Sequence, residues 1–232
     1  MNLTLSDRFS ILEQSYKNGS IKPGQVIVEA TSGNTGIAFA AIGRSLGHKV
    51  KIIMPDWLSK ERYDAIALYG AEVVKISKEQ GGFLRSIEEG NNFVIQNPNS
   101  FCPQQFINIE NVNAHFESTA PELFSQLQKL HLKLTHFIAG VGTGGTIMGF
   151  DKYFKNHNLK VKCFPLEPLN SPTLSTGGKK IGSHRIQGIS DEFIPEILKL
   201  DQIGKIVSVD DSDAIIMAQK LNQAGLSVGI SS

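Results

Sequence analysis

Cysteine is scarce in this chain of 232 residues: only Cys102 and Cys163 occur, each inside or beside an apolar segment. Two thiols so placed fit reduced core residues better than a disulfide framework or a metal site. Long hydrophobic runs are missing as well. None approaches the ~20 residues a bilayer span requires, and the opening "MNLTLSDRFS" lacks the basic-then-apolar order of a secretory signal. A cytoplasmic protein without membrane contact is expected. An excess of charge is absent too, since the net charge is +1 and the basic residues are scattered, which argues against nucleic acid as a partner. Six histidines (His48, His115, His131, His136, His157, His184) show no zinc-ligand spacing, so no metal is expected and each reads as solvated or capping. The carboxylate pairs Asp191–Glu192 and Asp210–Asp211 fall in turns, where solvation is the ordinary state. No Ser/His/Asp arrangement can be assigned, and no Gly-Lys followed by Ser or Thr occurs, which excludes a Walker loop.

What is present is an alternation of short β-branched runs and helical stretches, with 41% apolar residues to build cores. Strands are expected at "VIVEA" (26–30), "VKIIMP" (50–55), "EVVKIS" (72–77), "NFVIQ" (92–96), "THFIAG" (135–140), "VKCFPLE" (161–167), "KIVSVD" (205–210) and "SVGIS" (227–231). The stretches "GIAFAAIGRSLG", "SKERYDAIALYG" and "SDAIIMAQKLNQAG" carry apolar residues at three- and four-residue spacing and close on a glycine suited to a C-cap. The class is therefore α/β with mostly parallel sheets. Residues 96–113 are amide-rich and aperiodic and read as a loop or domain crossing. Residues 167–190 read as a long irregular segment, of a length more often functional than idle.

Two loops stand at the carboxyl ends of expected strands, where α/β sheets bind ligands. The first, "TSGNTG" (31–36), follows "VIVEA" and opens a helix. Its glycines allow close backbone approach, its hydroxyls and amide offer hydrogen bonds, and the helix N-terminus favours an anion such as a carboxylate or phosphate. The second, "GVGTGG" (140–145), ends in Gly142, Thr143, Gly144 and Gly145 with Thr146 next, a possible phosphate cradle. It also approximates the dinucleotide fingerprint G-x-G-x-x-G, and Glu167 stands about 20 residues on, where that motif places an acid for the ribose. A nicotinamide-dependent oxidoreductase is thus one reading of this loop.

Taken together, "GSIKPGQVIVEATSGNTGIAFAAIGRSLGHKVKIIMP", "GAEVVKI", "PQQFINIENVNAHFESTAPEL", "FIAGVGTGGTIMG", "LEPLNSPTLSTGG", "HRIQGISDEFIPEIL" and "LSVGISS" resemble the cysteine synthase and cystathionine β-synthase family. These are pyridoxal-phosphate enzymes of fold type II, and the collinear blocks cover nearly the whole chain. The resemblance implies two three-layer αβα domains, 1–108 with the substrate-carboxylate loop and 109–232 with the phosphate loop. It implies that Asn34 hydrogen-bonds the cofactor's phenolic oxygen and that Thr31, Ser32, Thr35 and Gln105 hold the carboxylate of an amino-acid substrate. It further implies that Gly142, Thr143, Gly144, Gly145 and Thr146 wrap pyridoxal phosphate and that Ser231 faces the pyridine nitrogen. Family members eliminate the β-substituent of an activated serine and add sulfide or another thiol, usually as homodimers.

The departures matter equally. Where the family has Ser-x-Lys-Asp-Arg, whose lysine joins the cofactor and moves the α-proton, this chain reads "TLSDRF". Ser6 stands at the lysine position, or Thr4 if the following helix is aligned without shortening. A hydroxyl replaces neither the covalent anchor nor the base, so no residue is assigned a catalytic role and impaired chemistry is expected. Ser190 stands where many members have glycine. The resemblance also implies a chain truncated at both ends. A non-catalytic protein that binds pyridoxal phosphate or an amino acid is the alternative reading.

Overall fold

In the computed structural model, two sets of strands and helices follow each other along the chain. The structure describes residues 3–231, with side chains of the first helix from Arg8 onward. The first unit, Met1–Ala114, runs α1 (Leu3–Lys17), β1 (Val26–Ala30), α2 (Asn34–Ser45), β2 (Lys49–Pro55), α3 (Lys60–Leu68), β3 (Glu72–Ile76), α4 (Gly82–Gln96), β4 (Ser100–Phe101) and α5 (Glu110–Ala114). Its four strands are parallel in the order β3-β2-β1-β4, with β1 and β2 in register from Val26 opposite Lys49 to Ala30 opposite Ile53.

Strand alternation sorts this sheet's side chains onto two faces. Ile27, Ile52 and Met54 join Ile11 and Leu12 of α1, Phe39 and Ala40 of α2, and Tyr63 and Ile66 of α3. Their sequence neighbours Val28 and Ile53, with Ile76, face Phe93 and Val94 of α4 instead. The result is a three-layer αβα sandwich in which β1 is buried on both sides and apolar except at Glu29. Past the C-caps of α2 and α3, Gly47 and Gly70 take positive φ, the glycine stop expected from the sequence.

The second unit, His115–Ser232, opens with a π-helical turn (His115–Thr119). It continues through α6 (Ala120–Lys129), β5 (His136–Gly140), α7 (Gly145–Asn156), β6 (Lys162–Pro168), a 3₁₀ turn (Leu200–Gln202), β7 (Val207–Val209) and α8 (Asp211–Gln223). Its strands are parallel in the order β5-β6-β7. Helix α7 packs on this sheet through Phe150, whose ring stacks on Phe137 of β5 at 4.0 Å between centroids. Among the described residues no helix is long and apolar enough to cross a membrane.

Three expectations are corrected. "NFVIQ" is the last turn and a half of α4, because Phe93 and Val94 continue the apolar stripe begun at Phe83 and meet the sheet face of Val28 and Ile53. The amide-rich segment 96–113 holds the edge strand β4 and the helix α5. "SVGIS" forms no strand: residues 226–231 are irregular, and Asn222 Nδ2 donates to the Val228 carbonyl (2.9 Å), tying the segment to α8. Alternating side chains cannot report whether a neighbouring strand offers a ladder.

Candidate functional site

In the first unit β1 delivers the loop 31–33 to the N-terminus of α2. Thr31 is buried, its backbone N–H donates to the Ile53 carbonyl (3.1 Å), and its Oγ1 accepts the Gly33 N–H (3.0 Å). Ser32 is half-buried, Asn34 opens α2 exposed to solvent, and no side chain caps this helix. Thr35, buried in the first turn, donates its hydroxyl to Gln105 Oε1 (2.8 Å), 70 residues away in sequence. The structure thus brings together Thr35 and Gln105, two of the four residues expected to hold a carboxylate, beside the loop carrying the other two.

What fixes Gln105 was not visible in its own surroundings. Its Nε2 donates to the Ala30 carbonyl (2.7 Å), its backbone N–H to Glu29 Oε2 (3.2 Å), and its carbonyl accepts from Asn111 Nδ2 (2.9 Å). Arg8 of α1 donates through Nη2 to both Thr35 Oγ1 (3.1 Å) and Gln105 Oε1 (3.2 Å). Glu29, 2% exposed, also accepts the Ala30 N–H (3.0 Å). Burial pushes its carboxyl up to about 7, against the opposing pull of the Arg8 charge and the N–H bonds it accepts. Arg8, Glu29 and Asn111 therefore buttress the loop, and sequence reasoning missed all three. Thr4 and Ser6 lie on α1, their side chains outside the described residues.

In the second unit β5 delivers a loop to α7. Gly142 lies so close to the 188 peptide that an added Cβ would stand 2.6 Å from the Gly188 carbonyl oxygen. Gly144 takes φ 87° at the α7 N-cap, where a side chain would be strained and would press on Leu198. Thr143 Oγ1 accepts the Gly145 N–H (3.3 Å), and the N-cap residue, Gly144, has no side chain to add a further cap. Thr146, in the first turn, bonds His115 Nε2 through Oγ1 (3.1 Å). Gly188 and Ser190 brace the loop, the Ser190 N–H donating to the Val141 carbonyl (2.7 Å). Ser190 itself sits at φ 52°, the backbone region that explains why glycine suits this position, and its hydroxyl compensates by donating to the Ser171 carbonyl (3.0 Å). The Ser231 carbonyl stands 3.8 Å from the Cβ position of Gly140 at the end of β5.

The donor set suits a phosphorylated ligand: a helix N-terminus with glycine at its N-cap, a run of small residues admitting close approach, and the Thr146 hydroxyl in the first turn. It does not suit a ribose. Glu167 is fully buried and spends Oε2 on the Leu174 (2.7 Å) and Ser175 (3.3 Å) N–H groups, holding the segment 168–176 in place.

Other sequence expectations need correction. His48 and His115 are buried, not solvated; His48 bonds the Tyr16 hydroxyl and the Gln25 carbonyl. Asp211 is buried and accepts the Arg185 N–H (2.6 Å), while Asp210 caps α8 by accepting the Ser212 N–H (2.8 Å). Desolvation, reinforced by the Glu192 charge, pushes the half-buried Asp191 up to about 7. Both cysteines are free thiols raised by burial, Cys163 to about 12, which makes them inert rather than nucleophilic.

Comparison with known proteins gives a consistent picture. A family model described as "Pyridoxal-phosphate dependent enzyme" matches residues 6–232. Cysteine synthase B of Campylobacter jejuni is 42% identical over 231 residues, covering 99% of this chain and 75% of that protein. A probable cysteine synthase of Bacillus subtilis is 39% identical over 225 residues, covering 97% and 71%. Among solved structures, a hydrogen sulfide-producing enzyme from Fusobacterium nucleatum superposes with a TM-score of 0.94 at 52% identity, covering 98% of this chain and 68% of that one.

Proposed function

Because the chain belongs to the family of pyridoxal-phosphate-dependent enzymes, we propose that it is a cysteine synthase-like protein that binds an activated serine by its carboxylate and is impaired in chemistry. Pyridoxal phosphate is its cofactor; when bound, it supplies an electron sink for the α-carbon of an amino acid. The observation that carries the reading is a pair of helix N-termini, α2 and α7, each with glycine at the N-cap and each entered through a loop of small residues at the end of a parallel strand. Thr31, Ser32, Thr35 and Gln105 hold the substrate carboxylate, and Asn34 meets the cofactor ring. Gly142 to Thr146 receive the phosphate, and the neutral hydroxyl of Ser231 faces the pyridine nitrogen. The substrate class is O-acetylserine or a similar activated serine, with sulfide or a thiol as second substrate. The protein is a cytoplasmic homodimer in this reading.

Impairment follows from Thr4 and Ser6. Neither side chain can capture an aldehyde as an amine does or draw the α-proton at neutral pH. The test incubates the purified protein with pyridoxal phosphate, O-acetylserine and sulfide. No cysteine is expected above the protein-free control, while pyridoxal phosphate raises the melting temperature. Turnover that depends on the protein would contradict the impairment. Stabilisation by a nicotinamide dinucleotide but not by pyridoxal phosphate would favour the oxidoreductase reading.

A further inference from the structure

His115 has no place in the assignments above, yet its surroundings are built. It is 1% exposed and opens the π-helical turn His115–Thr119, an uncommon geometry that is frequent at functional sites. One ring nitrogen, Nδ1, lies 3.1 Å from Thr119 Oγ1, and the other, Nε2, lies 3.1 Å from Thr146 Oγ1. Thr146 belongs to the first turn of α7, whose N-cap residue is Gly144. A hydroxyl has one proton to give. If Nε2 is bare, the Thr146 proton turns toward His115 and is lost to any anion at the helix mouth. If Nε2 carries the proton, it donates to Thr146 Oγ1 and leaves the threonine proton for the anion. Neutral imidazole protonated at Nε2 has a bare Nδ1, and the Thr119 hydroxyl is placed to donate to it.

We propose that His115 is a positioning residue for the cofactor phosphate: Thr119 fixes its tautomer, and its Nε2–H aims the Thr146 hydroxyl at a phosphate oxygen. The inference rests on the reading that the α7 loop receives that phosphate. The chain Thr119 O–H to Nδ1, Nε2–H to Thr146 Oγ1, and Thr146 O–H to phosphate gives each of these contacts one donor and one acceptor.

The experiment compares pyridoxal phosphate with pyridoxal, which lacks the phosphate, by titration calorimetry on the whole chain. The wild type is expected to prefer the phosphorylated ligand. His115→Asn, which can keep a polar atom near Thr119 but does not reach Thr146, should weaken pyridoxal phosphate about tenfold, the worth of one hydrogen bond to a charged group, and leave pyridoxal unchanged. His115→Gln, whose amide reaches toward the Nε2 position, should restore the preference. Equal weakening of both ligands, or of neither, by His115→Asn overturns the inference. If that variant fails to fold, ¹⁵N NMR of wild-type His115 decides: protonation at Nε2 with pyridoxal phosphate bound is expected, and protonation at Nδ1 overturns it. A wild type that binds neither ligand would instead remove the reading beneath the inference, and the inference with it.

Discussion

At the scale of single residues, the first unit turns on Glu29. Its carboxyl is raised from 4.5 to about 7, so the native state binds the proton more tightly than the unfolded chain. Stability from this group is fully present below pH ~4.5 and is lost as pH rises toward 7, by about 3 kcal/mol at 1.36 kcal/mol per unit. Asp191, raised in the same direction, adds to the same slope. Glu29→Gln should flatten the fall in urea midpoint between pH 5 and 8 while leaving the Asp191 part. An unchanged slope would show that Glu29 does not titrate there. In the second unit, Gly142→Ala would drive a Cβ to 2.6 Å from the Gly188 carbonyl. It should cost roughly 1–3 kcal/mol, the range for overpacked sites, and weaken pyridoxal phosphate binding, both readable in one thermal titration. The loops 31–36 and 140–145 were legible in the sequence as runs of small residues at the mouths of helices, whereas Gln105 was singled out only through the family resemblance of "PQQF". Arg8, Glu29 and His115 were not legible. Each is one polar residue in an ordinary setting, and its meaning lies in partners 27, 76 and 31 residues away.

At the scale of elements, propensity and periodicity located the strands β1, β2, β3, β5, β6 and β7 and the helices α2, α3 and α8. They failed where one short β-branched run had two possible environments. Val94 and Ile95 look like strand residues, but both continue the helix begun at Gly82, in which Phe93 and Val94 meet Val28 and Ile53 while Ile95 is exposed. "SVGIS" alternates correctly and still forms no ladder. Element termini offer a clean check. Asp210 caps α8 by accepting the Ser212 N–H at 2.8 Å, and Asp210→Ala should lower stability by about 1 kcal/mol. A melting temperature unchanged by that substitution would show that α8 is not held by its cap.

At the scale of the whole molecule, two parallel α/β units carry two helix mouths of the same kind, each at the carboxyl end of a strand. The fold class was readable from strand–helix alternation, and the ligand from collinear motifs rather than from either loop alone. A homodimer was expected only through the family resemblance, because association depends on surfaces that periodicity does not mark. If the chain is a homodimer, sedimentation should return twice its 25.3 kDa mass; a species at the single-chain mass over micromolar concentrations would contradict that assignment.

The central claim is that this chain holds pyridoxal phosphate through its loops and without a lysine bond. Titration of the purified protein with pyridoxal phosphate, followed by borohydride reduction, denaturation and mass measurement, tests it most directly. The account predicts saturable binding of one cofactor per chain and an unmodified protein mass after reduction. Absence of saturable binding, or stoichiometric covalent addition of the cofactor, would contradict it.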